Sequence, residues 1–181
     1  MSRRPAEWVA ASIVVVVLTA ASFVAVPNLM VPSGTGHRLS VAACQPPPPV
    51  GALVQVTLTD TGGMMMGARG GMFRLTVAAG SGAAGRVTLV ATNVGTLDRE
   101  LLIMPLPAAG PGSRPIGAGG KVDESTSLGE ASRSCGSGVG DGISPASRGW
   151  TTVTLQPGTY ELLCDVPWHY ASGMFTTFRV T

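Results

Sequence analysis

The sequence predicts an all-β sandwich of about seven or eight short strands, preceded by one N-terminal transmembrane helix. Three observations carry that reading. From Gly51 onward, apolar residues alternate with polar ones, the period-two signature of half-buried strands. Glycine and proline (25 and 14 residues) make up 39 of the 181 positions, so turns are frequent and elements short. Trp8 to Val26 runs for 19 residues without a charge. That is close to the roughly 20 residues that cross a bilayer as a helix.

The N-terminal segment, residues 1–26, opens with Arg3 and Arg4 ahead of the apolar run. Three fates are open to it: a retained anchor, a cleaved signal peptide or a lipoprotein signal. Small residues in Ala20–Val26 suit a signal peptidase. The lipobox-like Leu39-Ser40-Val41-Ala42-Ala43-Cys44 ends 18 residues past Val26, far from the apolar run. All three fates give one topology. The cations before the run keep the short tail in the cytoplasm and send residues 27–181 outside. The expected location is a plasma membrane, single-pass, with an extracytoplasmic C-terminal domain, or secretion if the signal is cleaved. Eleven of the twelve cations are arginine, and Lys121 is the single lysine. That skew reads as a GC-rich, bacterial genome.

Residues 27–50 hold Pro27, Pro32 and Pro47-Pro48-Pro49, which makes them a semi-rigid linker. The strands follow in residues 51–181. Val54, Val56 and Leu58 alternate with Gln55 and Thr57; Phe73, Leu75 and Val77 alternate with Arg74 and Thr76. Val87, Leu89 and Ala91 form the next strand. The run from Glu100 to Met104, ending at Pro105, reads as a more buried one. Val153 and Leu155, then Tyr160, Leu162 and Cys164, then Phe175 to Val180 complete the set, with a turn at Gln156-Pro157-Gly158. Residues 106–148 break the rhythm. This stretch of Gly, Ala, Ser and Pro reads as a long loop insertion, with a helical turn or two expected in the charged Lys121–Ala131.

Composition excludes several classes. A net charge of +2 makes no electrostatic case for nucleic-acid binding. There is no phosphate loop, no Ser/His/Asp set and no carboxylate pair on a plausible scaffold, so neither an enzyme nor a small-molecule substrate is expected. Two histidines rule out multi-metal oxidase chemistry. Met64, Met65 and Met66, with Met72, form a cluster that is either Cu(I)-binding or packing.

Three cysteines leave one unpaired. A Cys44–Cys135 disulfide would fasten the linker to the long loop, as bridges do in exported domains. Cys164 then remains, inside the densest group of ligand-type residues. The segment Cys164-Asp165-Val166-Pro167-Trp168-His169-Tyr170-Ala171-Ser172-Gly173-Met174 places Cys, His and Met at C-x4-H-x4-M between two strands. A soft thiolate, a thioether and an imidazole on one short strand-connecting loop suit copper in both oxidation states. Trp168 and Tyr170 flank His169 and either form a docking patch or cover the core.

This segment resembles the C-terminal ligand loop of cupredoxins, most closely the sulfocyanin and rusticyanin branch. Asp60-Thr-Gly-Gly-Met-Met-Met-Gly67, Gly85–Gly95, Lys121–Glu124 and Leu128–Glu130 are similar to parts of that branch. The resemblance covers roughly residues 50–181. It implies a Greek-key β-sandwich, one copper ion held by Cys164, His169 and Met174, a role in electron transfer or copper binding, and a redox protein partner.

One position departs from the pattern. The family's first histidine stands in N-x-G-x-x-x-H-E-L, and here the stretch is Asn93-Val94-Gly95-Thr96-Leu97-Asp98-Arg99-Glu100-Leu101. Arg99 stands in the histidine's place. The other histidine, His37, lies in the linker. Two outcomes are open. Copper binds through the three loop residues, weakly and as Cu(I), which also admits a Cu(I) carrier for oxidase assembly. Alternatively the metal is lost and the fold serves as an interaction domain, with Arg99 beside Cys164 and His169 lowering the thiol pKa.

Overall fold

The computed structural model describes residues 44–60 and 72–181. The Trp8–Val26 run, His37 and the Met64–Met66 cluster lie outside them. Among the described residues no helix is long and apolar enough to cross a membrane.

Ten strands are present among these residues: β1 (Ala52–Asp60), β2 (Phe73–Val77), β3 (Ser81–Gly82), β4 (Gly85–Asn93), β5 (Leu101–Pro105), β6 (Gly129–Arg133), β7 (Gly136–Gly142), β8 (Arg148–Leu155), β9 (Gly158–Leu163) and β10 (Phe175–Val180). They hydrogen-bond in the order β2-β1-β4-β8-β7-β6-β5-β9-β10-β3. The β1–β4, β6–β7, β7–β8 and β3–β10 pairs are parallel and the rest antiparallel. The chain crosses between the two halves of this order from β2 to β3, from β3 to β4, from β4 to β5, from β6 to β7 and from β8 to β9.

The alternation expected from the sequence sets which side chains face inward. Val54, Val56 and Leu58 of β1, Val87 and Leu89 of β4, Leu101 and Ile103 of β5, and Leu162 and Phe178 of β9 and β10 form one buried core. Each such side chain contributes about 1.5–3 kcal/mol relative to exposure.

The strand count exceeds seven or eight because the stretch expected to be a loop, 106–148, contains β6 and β7. Their residues, Gly129-Glu-Ala-Ser-Arg133 and Gly136-Ser-Gly-Val-Gly-Asp-Gly142, have almost no apolar alternation. Backbone pairing with β5 and β8 holds them extended instead. The helical turns expected in Lys121–Ala131 are absent. That segment passes through turns into β6, with Val122 N–H bonded to Asp165 Oδ1 at 2.8 Å and Leu128 N–H to Ile103 O at 2.9 Å.

Residues 106–128 are also anchored. The buried Glu161 accepts from Arg114 Nε at 2.7 Å, from Gly112 N–H at 2.7 Å and from the Tyr170 hydroxyl at 3.2 Å. Beneath lies a second apolar group of Leu102, Met104, Val122, Leu163 and Tyr170.

Cys44 and Cys135 form a disulfide across 91 residues of sequence, with their Cα atoms 4.7 Å apart. The last part of the linker therefore belongs to the domain. Val50 N–H donates to Thr88 Oγ1 at 3.1 Å. Pro46–Pro49 line a groove of about 400 Å³ with Leu53, Gln55, Val90, Thr92 and Arg148.

Candidate functional site

β9 delivers Cys164 directly after its last residue, and the connection to β10 is closed by its own backbone. Cys164 N–H donates to Met174 O at 3.1 Å, Met174 N–H to His169 O at 3.1 Å, and His169 N–H to Val166 O at 2.9 Å. Cys164, His169 and Met174 are all buried, and Met174 packs in the main core. Cys164 Sγ lies 3.3 Å from His169 Nδ1 and accepts the Glu100 N–H at 3.2 Å. Cys164 is the one described cysteine outside the disulfide.

Arg99 meets this pair from the other side. Its backbone is bonded in both directions to Ile143, with N–H to O at 3.1 Å and O from N–H at 2.7 Å. Asn93 braces the same turn: its Nδ2 donates to Leu97 O at 2.7 Å and Ile143 O at 2.6 Å, and its Oδ1 accepts Gly95 N–H at 3.0 Å. The guanidinium is 0% exposed. Its Nη1 stands 3.0 Å from both ring nitrogens of His169. Its Nη2 forms an ion pair with Asp60 Oδ1, and its carbon lies 4.2 Å from the centre of the Phe73 ring. That ring also packs on His169, with centroids 4.3 Å apart.

The donor and acceptor roles of the two ring nitrogens depend on the tautomer, and Arg99 Nη1 is equally close to both. Neutral histidine has one donor and one acceptor nitrogen. If Nε2 accepts from Arg99 Nη1, Nδ1–H is free to donate to Cys164 Sγ. The result is a continuous chain, Asp60–Arg99–His169–Cys164–Glu100 N–H.

The electrostatics follow from burial. Desolvation, reinforced by the Arg99 charge, drops His169 to about 4, so it is neutral at ordinary pH. Desolvation lifts the Cys164 thiol to about 11; the Glu100 and Val166 N–H groups and Arg99 oppose the rise without overcoming it. Arg99 lowers the thiol pKa as expected, but the net shift is upward, because burial outweighs the nearby cation. Burial also lowers Arg99 itself, with the Cys164 charge opposing.

Two members of the site carried no signal as site residues in the sequence. Asp60, at the end of β1, also accepts Thr96 N–H at 2.6 Å and Thr96 Oγ1–H at 2.7 Å. Phe73 reads only as a strand residue. The available hint was an aspartate next to glycines in a chain with just ten acidic residues. The flanking aromatics divide. Tyr170 turns inward to Glu161, whereas Trp168 is 60% exposed. Trp168 has φ +70°, an uncommon conformation for a bulky residue. Its N–H donates to Gly120 O at 2.8 Å, and a Cβ at Gly120 would fall 2.7 Å from the indole.

Copper does not fit this arrangement. The guanidinium faces both imidazole nitrogens, cannot ligate and repels a cation. Among the described residues no three His, Cys, Asp or Glu side chains are grouped to hold a metal ion.

No protein-family model and no curated protein matches the chain. Several solved structures are similar to it. Reduced auracyanin from Roseiflexus castenholzii is 18% identical over 74% of this chain and 99% of its own, with a TM-score of 0.44. Auracyanin A, a "blue" copper protein from Chloroflexus aurantiacus, is 18% identical over 72% of this chain and 100% of its own, with a TM-score of 0.43. Rusticyanin from Thiobacillus ferrooxidans is 17% identical over 73% of this chain and 79% of its own, with a TM-score of 0.43.

Proposed function

We propose that this chain is an exported, membrane-tethered cupredoxin-fold domain that acts as a metal-free interaction module. The observation that carries this reading is the position of the Arg99 guanidinium, 3.0 Å from both His169 ring nitrogens and paired with Asp60. A domain built this way keeps the fold and loop of an electron carrier and has no redox centre. Its partner is a protein, met in part through the exposed Trp168. It is not an enzyme.

The second reading is a copper-binding or electron-transfer protein with an incomplete site. The C-x4-H-x4-M spacing and the 3.3 Å approach of Cys164 Sγ to His169 Nδ1 support it. In that case Arg99 must swing away and Cys164, His169 and Met174 hold a weakly bound Cu(I). Mediated electrochemistry of the purified full chain separates the two. A metal-free module shows no reversible one-electron wave after incubation with Cu(I) or Cu(II); a carrier shows one.

A further inference from the structure

We infer that the Arg99 guanidinium does the mechanical work of a bound cation, so that this end of the sandwich holds together without any metal supply. The inference rests on the metal-free reading and adds what replaces the metal. Three separate pieces of chain converge on this one charge. Asp60 comes from the end of β1, Phe73 from the start of β2, and His169 from the β9–β10 loop. Arg99 itself arrives on a backbone bonded both ways to Ile143. A cation with ligands from several elements ties them together in the same manner.

The choice of arginine follows from the geometry. A charge that is 0% exposed is strongly unfavourable unless paired and hydrogen-bonded. The planar fork meets two partners at once, the imidazole through Nη1 and the carboxylate through Nη2, while its face lies on Phe73. A lysine at this position has the charge, but it has no second donor arm and no flat face. The guanidinium also cannot be lost to a chelator, unlike an ion. Cys164 and His169 are then kept as neutral hydrogen-bonding groups and not as ligands.

The test is thermal unfolding of the full chain and its Arg99 variants, each after chelation and then with one equivalent of Cu(I). Wild type should unfold at one temperature in both conditions. Arg99→Met should lower the midpoint by roughly 10 °C, as removal of one member of a buried ion pair does, and Arg99→Lys should recover only part of it. Arg99→His should be as weak as Arg99→Met after chelation and should regain its midpoint with copper, because the ion then takes the guanidinium's place. That metal-dependent rescue is a signature that a merely space-filling role would not give. An Arg99→Met protein that melts with metal-free wild type overturns the inference while leaving the metal-free reading intact. So does an Arg99→His protein that is indifferent to copper. A wild-type chain whose midpoint rises with copper overturns the reading itself. If Arg99→Met does not accumulate folded, the Arg99→His protein decides alone: folded with copper and unfolded after chelation supports the inference, and unfolded in both opposes it.

Discussion

Arg99 holds Asp60, Phe73 and His169 around one buried charge. Its position follows from local spacing, Asn93-x-Gly95 and then Glu100-Leu101, which places it at the head of β5. Asp60 and Phe73 reach it only through the β1–β2 pairing, in which Asp60 stands opposite Phe73. No spacing rule links Asp60 to a residue 39 positions later. The Asp60 carboxylate carries three contacts, to Arg99, Thr96 N–H and Thr96 Oγ1–H. Its side chain is 21% exposed, so water partly compensates for lost partners. Asp60→Ala is expected to destabilise the fold by about 2–3 kcal/mol, because it leaves the buried guanidinium without its counter-charge. Urea unfolding measures this, and a loss below about 0.5 kcal/mol, the usual scale of a surface substitution, would show that the pair is not a structural tie. The sign of the Cys164 shift was also beyond the sequence, since it depends on depth of burial more than on the neighbouring cation.

Among the elements, strands with apolar alternation were readable and strands made by pairing alone were not. β1, β2, β4, β9 and β10 carry their own inward-facing side chains. β7, Gly136-Ser-Gly-Val-Gly-Asp-Gly142, carries almost none and is extended because β6 and β8 lie on either side of it. The turn between β6 and β7 holds Cys135, which takes φ +54° and donates its N–H to Arg148 O at 2.7 Å. The disulfide to Cys44 therefore fastens an element with little core of its own. Replacing both cysteines by serine should cost about 4–5 kcal/mol, the scale of a bridge closing a loop of 91 residues. Unfolding with and without a thiol reductant checks this: wild type should lose stability on reduction, and the double variant should not respond.

Across the whole molecule, two buried groups set opposing responses to acid. His169, near 4 in the fold against about 6.5 in an unfolded chain, stays neutral where the unfolded state takes up a proton. Stability from this group therefore falls as pH drops from about 6.5 to about 4, by about 3 kcal/mol at most. Asp165 runs the other way. Burial raises it to about 7, with the Val122 N–H opposing and Glu124 adding to the rise, against about 3.9 unfolded. The fold keeps its proton where the unfolded chain has lost it, so acidification from about 7 to about 4 adds stability. The two slopes oppose each other, and burial raises Glu100 in the same direction as Asp165, so acid is expected to change wild-type stability less than His169 alone would. Asp165→Asn removes one side of the balance and should expose a clear loss of stability toward acid. Unfolding curves at several pH values test it; an Asp165→Asn protein with the same pH profile as wild type would contradict the assignment of these two groups.

The central claim is that the buried Arg99 guanidinium, set between Asp60 and His169, leaves no copper site beside Cys164. The most direct measurement is the copper content and visible absorption of the purified full chain after exposure to excess Cu(II) and Cu(I), followed by dialysis. The account predicts less than a stoichiometric trace of copper and no copper–thiolate colour. A blue protein holding one copper per chain would contradict it.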